Sequence, residues 1–389
     1  MREKIGVCRI WKSWEAPEAM VSSRRKSWDP RVALAMLLAS SLAEPLAGQA
    51  PRSQRVRSEI TSQLERSVDR GLQHLIDRQK PSGSFSNRYQ VAVNALVGMA
   101  FLAGGHTNRL GPHTEVVQQT LEGLLTYQRA DGYFTEGGSD QRRLSRMYGH
   151  GFATLFLAEL YGMTGRQNKT VRESLVRAVR VIEGSQCVDG GWDYYPSRAH
   201  QPAIGLFSQP YSGIGDTSIT VCQTMALRAS RNLGLQVDPK VIARARRFIE
   251  KAQNGDGGFA YKRLPLAGIL LRPVVEASEF PRSAAGVCIL ASLGDYNSEK
   301  IRRGYDYLMD HYHESSLFPY YAYYYCSQAM FQAGGRYWRQ YFPYVRGELL
   351  RKQRRDGSWE GRVDESAQST AMALIVLQIP YRFLPIFER

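Results

Sequence analysis

One phrase recurs five times in this chain: a glutamine, then Asp-Gly or Ser-Gly, then an aromatic residue. It reads Gln79-Lys-Pro-Ser-Gly83-Ser-Phe85, Gln128-Arg-Ala-Asp131-Gly132-Tyr-Phe134 and Gln186-Cys-Val-Asp189-Gly190-Gly-Trp192. It returns as Gln253-Asn-Gly-Asp256-Gly257-Gly-Phe259 and Gln353-Arg-Arg-Asp356-Gly357-Ser-Trp359. A fixed phrase at intervals of tens of residues marks a repeat architecture, in which each unit needs its neighbours to bury its apolar face.

Each phrase is preceded by an amphipathic segment and followed by an apolar one. Residues 58–79 place Ile60, Leu64, Val68, Leu72 and Leu75 at steps of three and four, with charges between them. Residues 114–128, 168–186, 239–253 and 338–353 follow the same pattern, which gives a helix with one apolar stripe. The segments after the phrases are rich in Ala, Gly, Ser and Leu and poor in charge: Val91–Gly104, Met147–Gly162, Asp216–Leu233, Arg282–Leu293 and Ser366–Leu377. Helices apolar nearly all round are buried on all sides. One further pair, Asn297–Ser315 and Tyr321–Gly334, keeps both helices but has lost the phrase. The unit is therefore an exposed helix, a glycine turn and a buried helix, six times over. The expected fold is all-α, an α/α toroid of six helical hairpins with the buried helices inside. Closure removes the free ends that an open superhelix, the alternative, must cap.

The phrase has a structural purpose of its own. Asp-Gly favours a turn, because Asp bonds locally and Gly tolerates positive φ. The aromatic can anchor the turn between hairpins, and the glutamine can bond exposed backbone groups. The phrase aspartates lack the clustered carboxylates of a calcium loop.

Charged and apolar residues, 22% and 43%, stand at globular levels, and the net charge is +15. The basic residues of the body, such as Arg172, Arg177, Arg180, Arg244, Arg246 and Arg247, read as solvated helix faces. No lysine-rich stripe with interleaved aromatics points to nucleic acid. Near the N-terminus, Arg24-Arg25-Lys26 precedes the apolar run Val32–Ala39, and small residues follow at Ala47, Gly48 and Ala50. That order is a secretory signal, with an uncleaved anchor as the alternative. The expected organisation is a leader over 1–50 and one toroid domain over 51–389, exported to the periplasm or beyond. Any membrane contact then runs through the leader. Of the five cysteines, Cys222, Cys288 and Cys326 fall in apolar helical stretches, as small buried hydrophobes do.

The phrase resembles the QW repeats of squalene–hopene cyclases and the related repeats of protein prenyltransferase β subunits. Gln353–Trp359 is the nearest copy, and the resemblance spans about residues 58–380. Met147-Tyr-Gly-His-Gly151, Gly215-Asp-Thr-Ser218 and Tyr323-Tyr-Tyr-Cys-Ser-Gln328 also look like a group of exported bacterial proteins named only for these repeats. The resemblance implies an α/α toroid with a central cavity. It does not transfer a function. The cyclases protonate an alkene from an Asp-x-Asp-Asp segment, and this chain has none; Asp216 of Gly215-Asp-Thr-Ser218 stands alone and suits a helix N-cap. The prenyltransferases hold zinc through Asp-x-Cys and a later His. Here Gly191 stands where that cysteine belongs, Cys187 lies on the wrong side of Asp189, and His150 precedes both. No metal or other cofactor is expected.

Six inner helices beginning at one mouth would direct their partial positive charges at it, which favours an anion such as a diphosphate or carboxylate. Candidate ligand-binding residues near those starts are Tyr148, His150, Asp216, Thr217, Glu279, Arg282, Tyr324, Gln328 and Asp364, with Trp192 and Tyr194 from the third turn. Each also has a structural alternative: a satisfied core histidine for His150, capping for Asp216 and Asp364, and inner-wall packing for Tyr320–Tyr325. The long connections 196–215 and 261–278 are lids or surface decoration. The function expected is binding of a hydrophobic or anionic small molecule, or of a protein or peptide, at the mouth. The alternatives are an isoprenoid- or lipid-modifying enzyme with atypical residues, and a glycan-degrading enzyme. The last needs two carboxylates across a cleft, from Asp216 with Glu279 or Asp364.

Overall fold

Outer and inner helices alternate along the chain. The computed structural model describes residues 59–136, 146–197, 213–260, 276–361 and 366–387. Within them lie twelve α-helices and no strand beyond two isolated bridges in the turns. The odd-numbered helices are α1 (Ser62–Arg78), α3 (Thr114–Leu125), α5 (Lys169–Gly184), α7 (Pro239–Ala252), α9 (Glu299–His311) and α11 (Gly335–Lys352). The even-numbered ones are α2 (Gln90–Ala103), α4 (Met147–Met163), α6 (Thr217–Asn232), α8 (Phe280–Ser292), α10 (Pro319–Ala333) and α12 (Ala367–Gln378). The leader and most of both long connections lie outside the described residues. Among the described residues no helix is long and apolar enough to cross a membrane.

The odd helices bury a single stripe, as Leu64, Val68, Leu72 and Leu75 do in α1. Several start on a side-chain cap: Thr61, Asn168, Asp238 and Ser298 each accept a backbone N–H of the first turn. The even helices are buried nearly throughout, and α2 is covered from Val91 to Ala103. Each even helix packs against the next, from α2 through α4, α6, α8, α10 and α12 and back to α2. Outside them, α11 meets α1. The result is a closed α/α toroid of six hairpins.

The repeated phrase makes the joints. Gln128 Nε2 donates to the Ser174 carbonyl of the next outer helix at 2.9 Å. Gln79 reaches Val116 (3.1 Å), Gln186 reaches Val241 (2.9 Å) and Gln253 reaches Lys300 (2.8 Å) in the same way. Gln353 closes the series on Ser67 at 2.8 Å. The turn glycine presses on that same neighbouring helix. At Gly190 φ is +98°, and a Cβ would sit 2.3 Å from the Arg244 carbonyl oxygen; only glycine fits there. Phrase aspartates accept the N–H two residues on, as Asp189 does from Gly191 at 3.1 Å. Trp192 and Trp359 are wholly buried, and their indole N–H groups reach the Ile182 and Leu349 carbonyls at 2.7 and 2.8 Å.

At the far end of the ring the C-terminal segment folds into two short 3-10 turns, Ile379–Tyr381 and Pro385–Phe387. Pro385–Phe387 packs on α4, α6 and α10, and both Ile386 and Phe387 are buried. The Ile386 N–H donates to Glu159 at 3.0 Å. Burial pushes the Glu159 carboxyl up to about 8, against the opposing effects of that N–H and of Arg228.

Candidate functional site

The phrase turns join outer-helix ends to inner-helix starts, so all six inner helices begin at one mouth. Between those starts is a cavity of about 750 Å3. Every inner helix contributes to its wall: Ala92 and Val93 from α2, Tyr148 and Phe152 from α4, Ser218 from α6, Phe280 and Arg282 from α8, Tyr321 from α10, Gln368 and Met372 from α12. Tyr89 and Tyr194 enter from the turns before α2 and α6. The hairpin that lacks the phrase supplies the loop Glu314–Phe318, whose Leu317 and Phe318 stand 66% and 52% exposed at the rim.

Aromatic rings order the wall. Tyr148 stacks on Phe152 with centroids 6.0 Å apart and lies 6.3 Å from Tyr194. Phe152 meets Tyr324 edge-on, and Tyr321 meets Tyr325 edge-on at 4.7 Å. Burial, reinforced by Cys222, holds the Tyr148 and Tyr321 hydroxyls far above the usual phenol range. Both are therefore neutral phenols. The Cys222 thiol beside them is pushed up to about 12 by burial, so it is no thiolate nucleophile. At the rim Arg282 is held by Glu279 at 2.5 Å and Glu276 at 3.2 Å.

Four of the candidate residues thus reach the cavity wall: Tyr148, Tyr194, Glu279 and Arg282. The others are placed elsewhere. Asp216 is fully buried as the N-cap of α6; its Oδ1 accepts the Ser218 N–H at 2.8 Å and the Ser218 hydroxyl at 2.5 Å. The Thr217 hydroxyl donates to the Ala260 carbonyl at 3.0 Å, tying α6 to the fourth phrase. Trp192 fills the core beneath its own turn. Tyr324 and Gln328 lie deeper along α10, where the Gln328 amide bonds the Tyr324 carbonyl at 3.0 Å. Asp364 lies outside the described residues.

His150 has a repeat-wide explanation. Its Nδ1 accepts the Phe134 N–H at 3.2 Å, and its Nε2 faces the Ala178 carbonyl at 3.0 Å. Near the start of the four other inner helices that follow a phrase, the same acceptor position holds Asn94, Thr220, Ser283 and Thr370. They take the N–H of Phe85, Trp192, Phe259 and Trp359 at 2.9–3.1 Å. The pairing fixes the neutral ring with its proton on Nε2. Asp189 is likewise spent on backbone, accepting Gly191 and Gly215 N–H groups. Among the described residues no group of three His, Cys, Asp or Glu side chains is placed to hold a metal.

Sequence reasoning did not single out Tyr89, Phe152, Ser218, Phe280 or the Leu317–Phe318 rim. Two signals were present: Phe152 lies one helical turn beyond Tyr148, and the fifth hairpin is the one without a turn phrase.

No family model matches the chain, and no curated protein matches it in sequence. Solved structures do match. The type II terpene cyclase MstE from Scytonema aligns over 83% of this chain and 100% of its own, with 15% identity and a TM-score of 0.55. A family 76 glycoside hydrolase from a bovine Bacteroides thetaiotaomicron strain aligns over 82% of this chain and 78% of its own, with 9% identity and a TM-score of 0.60. The α-1,6-mannanase GH76A of Salegentibacter sp. HEL1_6, solved with α-1,6-mannotriose, covers 81% and 98% at 10% identity, TM-score 0.55. At such identities the likeness is one of fold, the helical toroid.

Proposed function

We propose that the chain binds a small molecule with a long apolar body at the mouth of its ring. One observation carries this reading: a cavity of about 750 Å3 whose wall includes Tyr89, Val93, Phe152, Phe280, Tyr321 and Met372, beside the polar Ser218, Glu279, Arg282, Glu314 and Gln368. Apolar ligand surface leaves water for such a wall at a gain set by its area. The exposed Leu317 and Phe318 extend that surface to the entrance. A lipid or isoprenoid suits it. MstE, solved with geranylgeranyl dihydroxybenzoate, is a toroid neighbour of that ligand class.

Binding is proposed in preference to cyclisation, because the sequence has no Asp-x-Asp-Asp acid and Asp216 is occupied as a helix cap. A glycan-cleaving reading needs two free carboxylates facing each other. Glu279 and Glu314 are the acids of the described wall, and Glu279 is paired with Arg282. We propose further that the leader is removed on export, which intact-mass analysis of the native protein tests by an N-terminus between about residues 44 and 53.

The binding test is mass spectrometry of organic extracts from the natively purified protein, with Phe152→Asp as control. A stoichiometric apolar molecule that disappears in the variant supports the reading. Protein that carries none, and that takes up neither fatty nor isoprenoid probes, sinks it.

A further inference from the structure

A second cavity, of about 440 Å3, opens at the end of the ring opposite the mouth, and its chemistry is different. Its wall takes two carboxylates from α1, Glu65 and Asp69, four residues apart and so on one face of the helix. Both are exposed, and neither makes an ion pair or a side-chain hydrogen bond among the described residues. Arg66 brings one guanidinium to the wall. His106 adds no charge, because burial and the neighbouring His113 hold its imidazole below the usual range. The wall is therefore acidic on balance.

Gln378, the last residue of α12, also lines this cavity and is only 1% exposed. Its Nε2 donates to the Ala100 and Leu374 carbonyls at 2.9 and 3.0 Å, which fixes the nitrogen branch of the amide. Oε1 is the branch left toward Gly104 and His106, both on the cavity wall; a Cβ on Gly104 would stand 2.6 Å from it. Oε1 accepts no hydrogen bond. A buried acceptor in that condition calls for a donor. Val68 and Leu72, both buried, supply apolar surface beside the carboxylates.

We infer that this cavity is a site for a primary ammonium carried on a short alkyl stem. An ammonium has three donors and no acceptor, which matches two unpaired carboxylates and an unpaired amide oxygen. Its stem has Val68 and Leu72 to lie against. A metal ion suits the wall less, since no three His, Cys, Asp or Glu side chains of the described residues are placed to hold one. A quaternary ammonium brings the charge but no N–H for Gln378. The wall joins α1, the turn after α2, and the end of α12, so an occupant bridges the last hairpin to the first and stabilises the closed ring. This site is independent of the apolar ligand at the mouth.

Calorimetry and thermal melts of the full-length protein at low salt test it with cadaverine, its fully methylated analogue pentamethonium, pentanediol and calcium chloride. Cadaverine is expected to bind and to raise the melting temperature, with pentamethonium and pentanediol about tenfold weaker or worse. Glu65→Gln and Asp69→Asn change exposed side chains and keep the fold; each should weaken cadaverine binding several-fold. Gln378→Met should narrow the gap between cadaverine and pentamethonium, with melts of the free variant checking its fold. No binding of cadaverine, equal binding of pentamethonium, tighter binding of calcium, or cadaverine affinity unchanged in both carboxylate variants would each overturn the inference. None of these outcomes touches the reading of the mouth.

Discussion

Gln353 Nε2 donates to the backbone carbonyl of Ser67, 286 residues earlier, at 2.8 Å. The same nitrogen serves the Gly357 carbonyl of its own turn at 2.9 Å, and Gln353 Oε1 accepts the Ser67 hydroxyl at 2.8 Å. One side chain thus fastens the sixth hairpin to the first.

Gln353→Ala is expected to destabilise the protein by about 1–3 kcal/mol, since it removes these hydrogen bonds from a partly buried joint. Trp359→Ala, at the same joint, removes a wholly buried ring that reaches α1 beside Gly71. It should cost about 3–5 kcal/mol. Asp216→Asn keeps the capping oxygen and should cost far less. Urea melts of the three variants rank them; a larger loss for Asp216→Asn than for Trp359→Ala would refute this account of the joint.

The turn glycines answer to two separate constraints, and two substitutions distinguish them. Gly165 has φ +78° with nothing near a new Cβ, so Gly165→Ala carries backbone strain alone, about 1–2 kcal/mol. Gly190→Ala adds a clash with the Arg244 carbonyl, and should exceed about 3 kcal/mol. Equal melting temperatures for the two would show that the turn does not press on α7 as described.

His150 is expected to act through the backbone. His150→Ala strands the Phe134 N–H and empties a buried site, and should cost about 2–5 kcal/mol. His150→Asn supplies the acceptor that Asn94 supplies in the first hairpin, and should recover part of that loss. Ligand affinity is expected to be unchanged in the asparagine variant; a folded variant that no longer binds would return His150 to the site.

Glu159 makes stability depend on pH. Its carboxyl is raised in the folded state, to about 8 from an ordinary value near 4.5. Between those values the folded chain holds the extra proton. The contribution of Glu159 is therefore greatest below about pH 4.5, declines by up to about 1.4 kcal/mol per pH unit, and is gone above about pH 8. Melting temperatures of wild type and Glu159→Gln, compared from pH 5 to 9, should diverge in favour of the variant as pH rises. A difference that stays constant across the range would place Glu159 in a solvated setting.

The hairpins were legible because each carries its signal locally: a stripe, a turn phrase and an apolar run. The joints were not. The partners of Gln79, Gln128, Gln186 and Gln253 are backbone carbonyls of the next outer helix, and a carbonyl leaves no trace in sequence. His150 stood out for its flanking glycines, and its kinship with Thr220 and Thr370 was hidden by the difference in residue type. The cavity wall was half legible. Tyr148, Tyr194, Glu279 and Arg282 lie at helix starts, where reasoning looked; Phe152 and Met372 sit one turn deeper and read as ordinary core.

The missing phrase of the fifth hairpin leaves the outer layer different in kind from the inner one. The inner helices form an unbroken circle. The glutamine bonds run from α11 through α1, α3, α5 and α7 to α9 and then stop, so the outer layer is a strip with two lips. Between the lips, Asp306 meets Arg336 at 3.0 Å, and Tyr305 faces Tyr337 across 5.3 Å, both contacts made by side chains alone. Side-chain pairs at a surface yield far more readily than amide-to-carbonyl bonds. Next to the Glu314–Phe318 rim the seam is closed by rings instead, with Tyr312 and His313 against Tyr344 at 4.9 and 4.6 Å, so aromatic packing replaces the amide clamp where the phrase is lost.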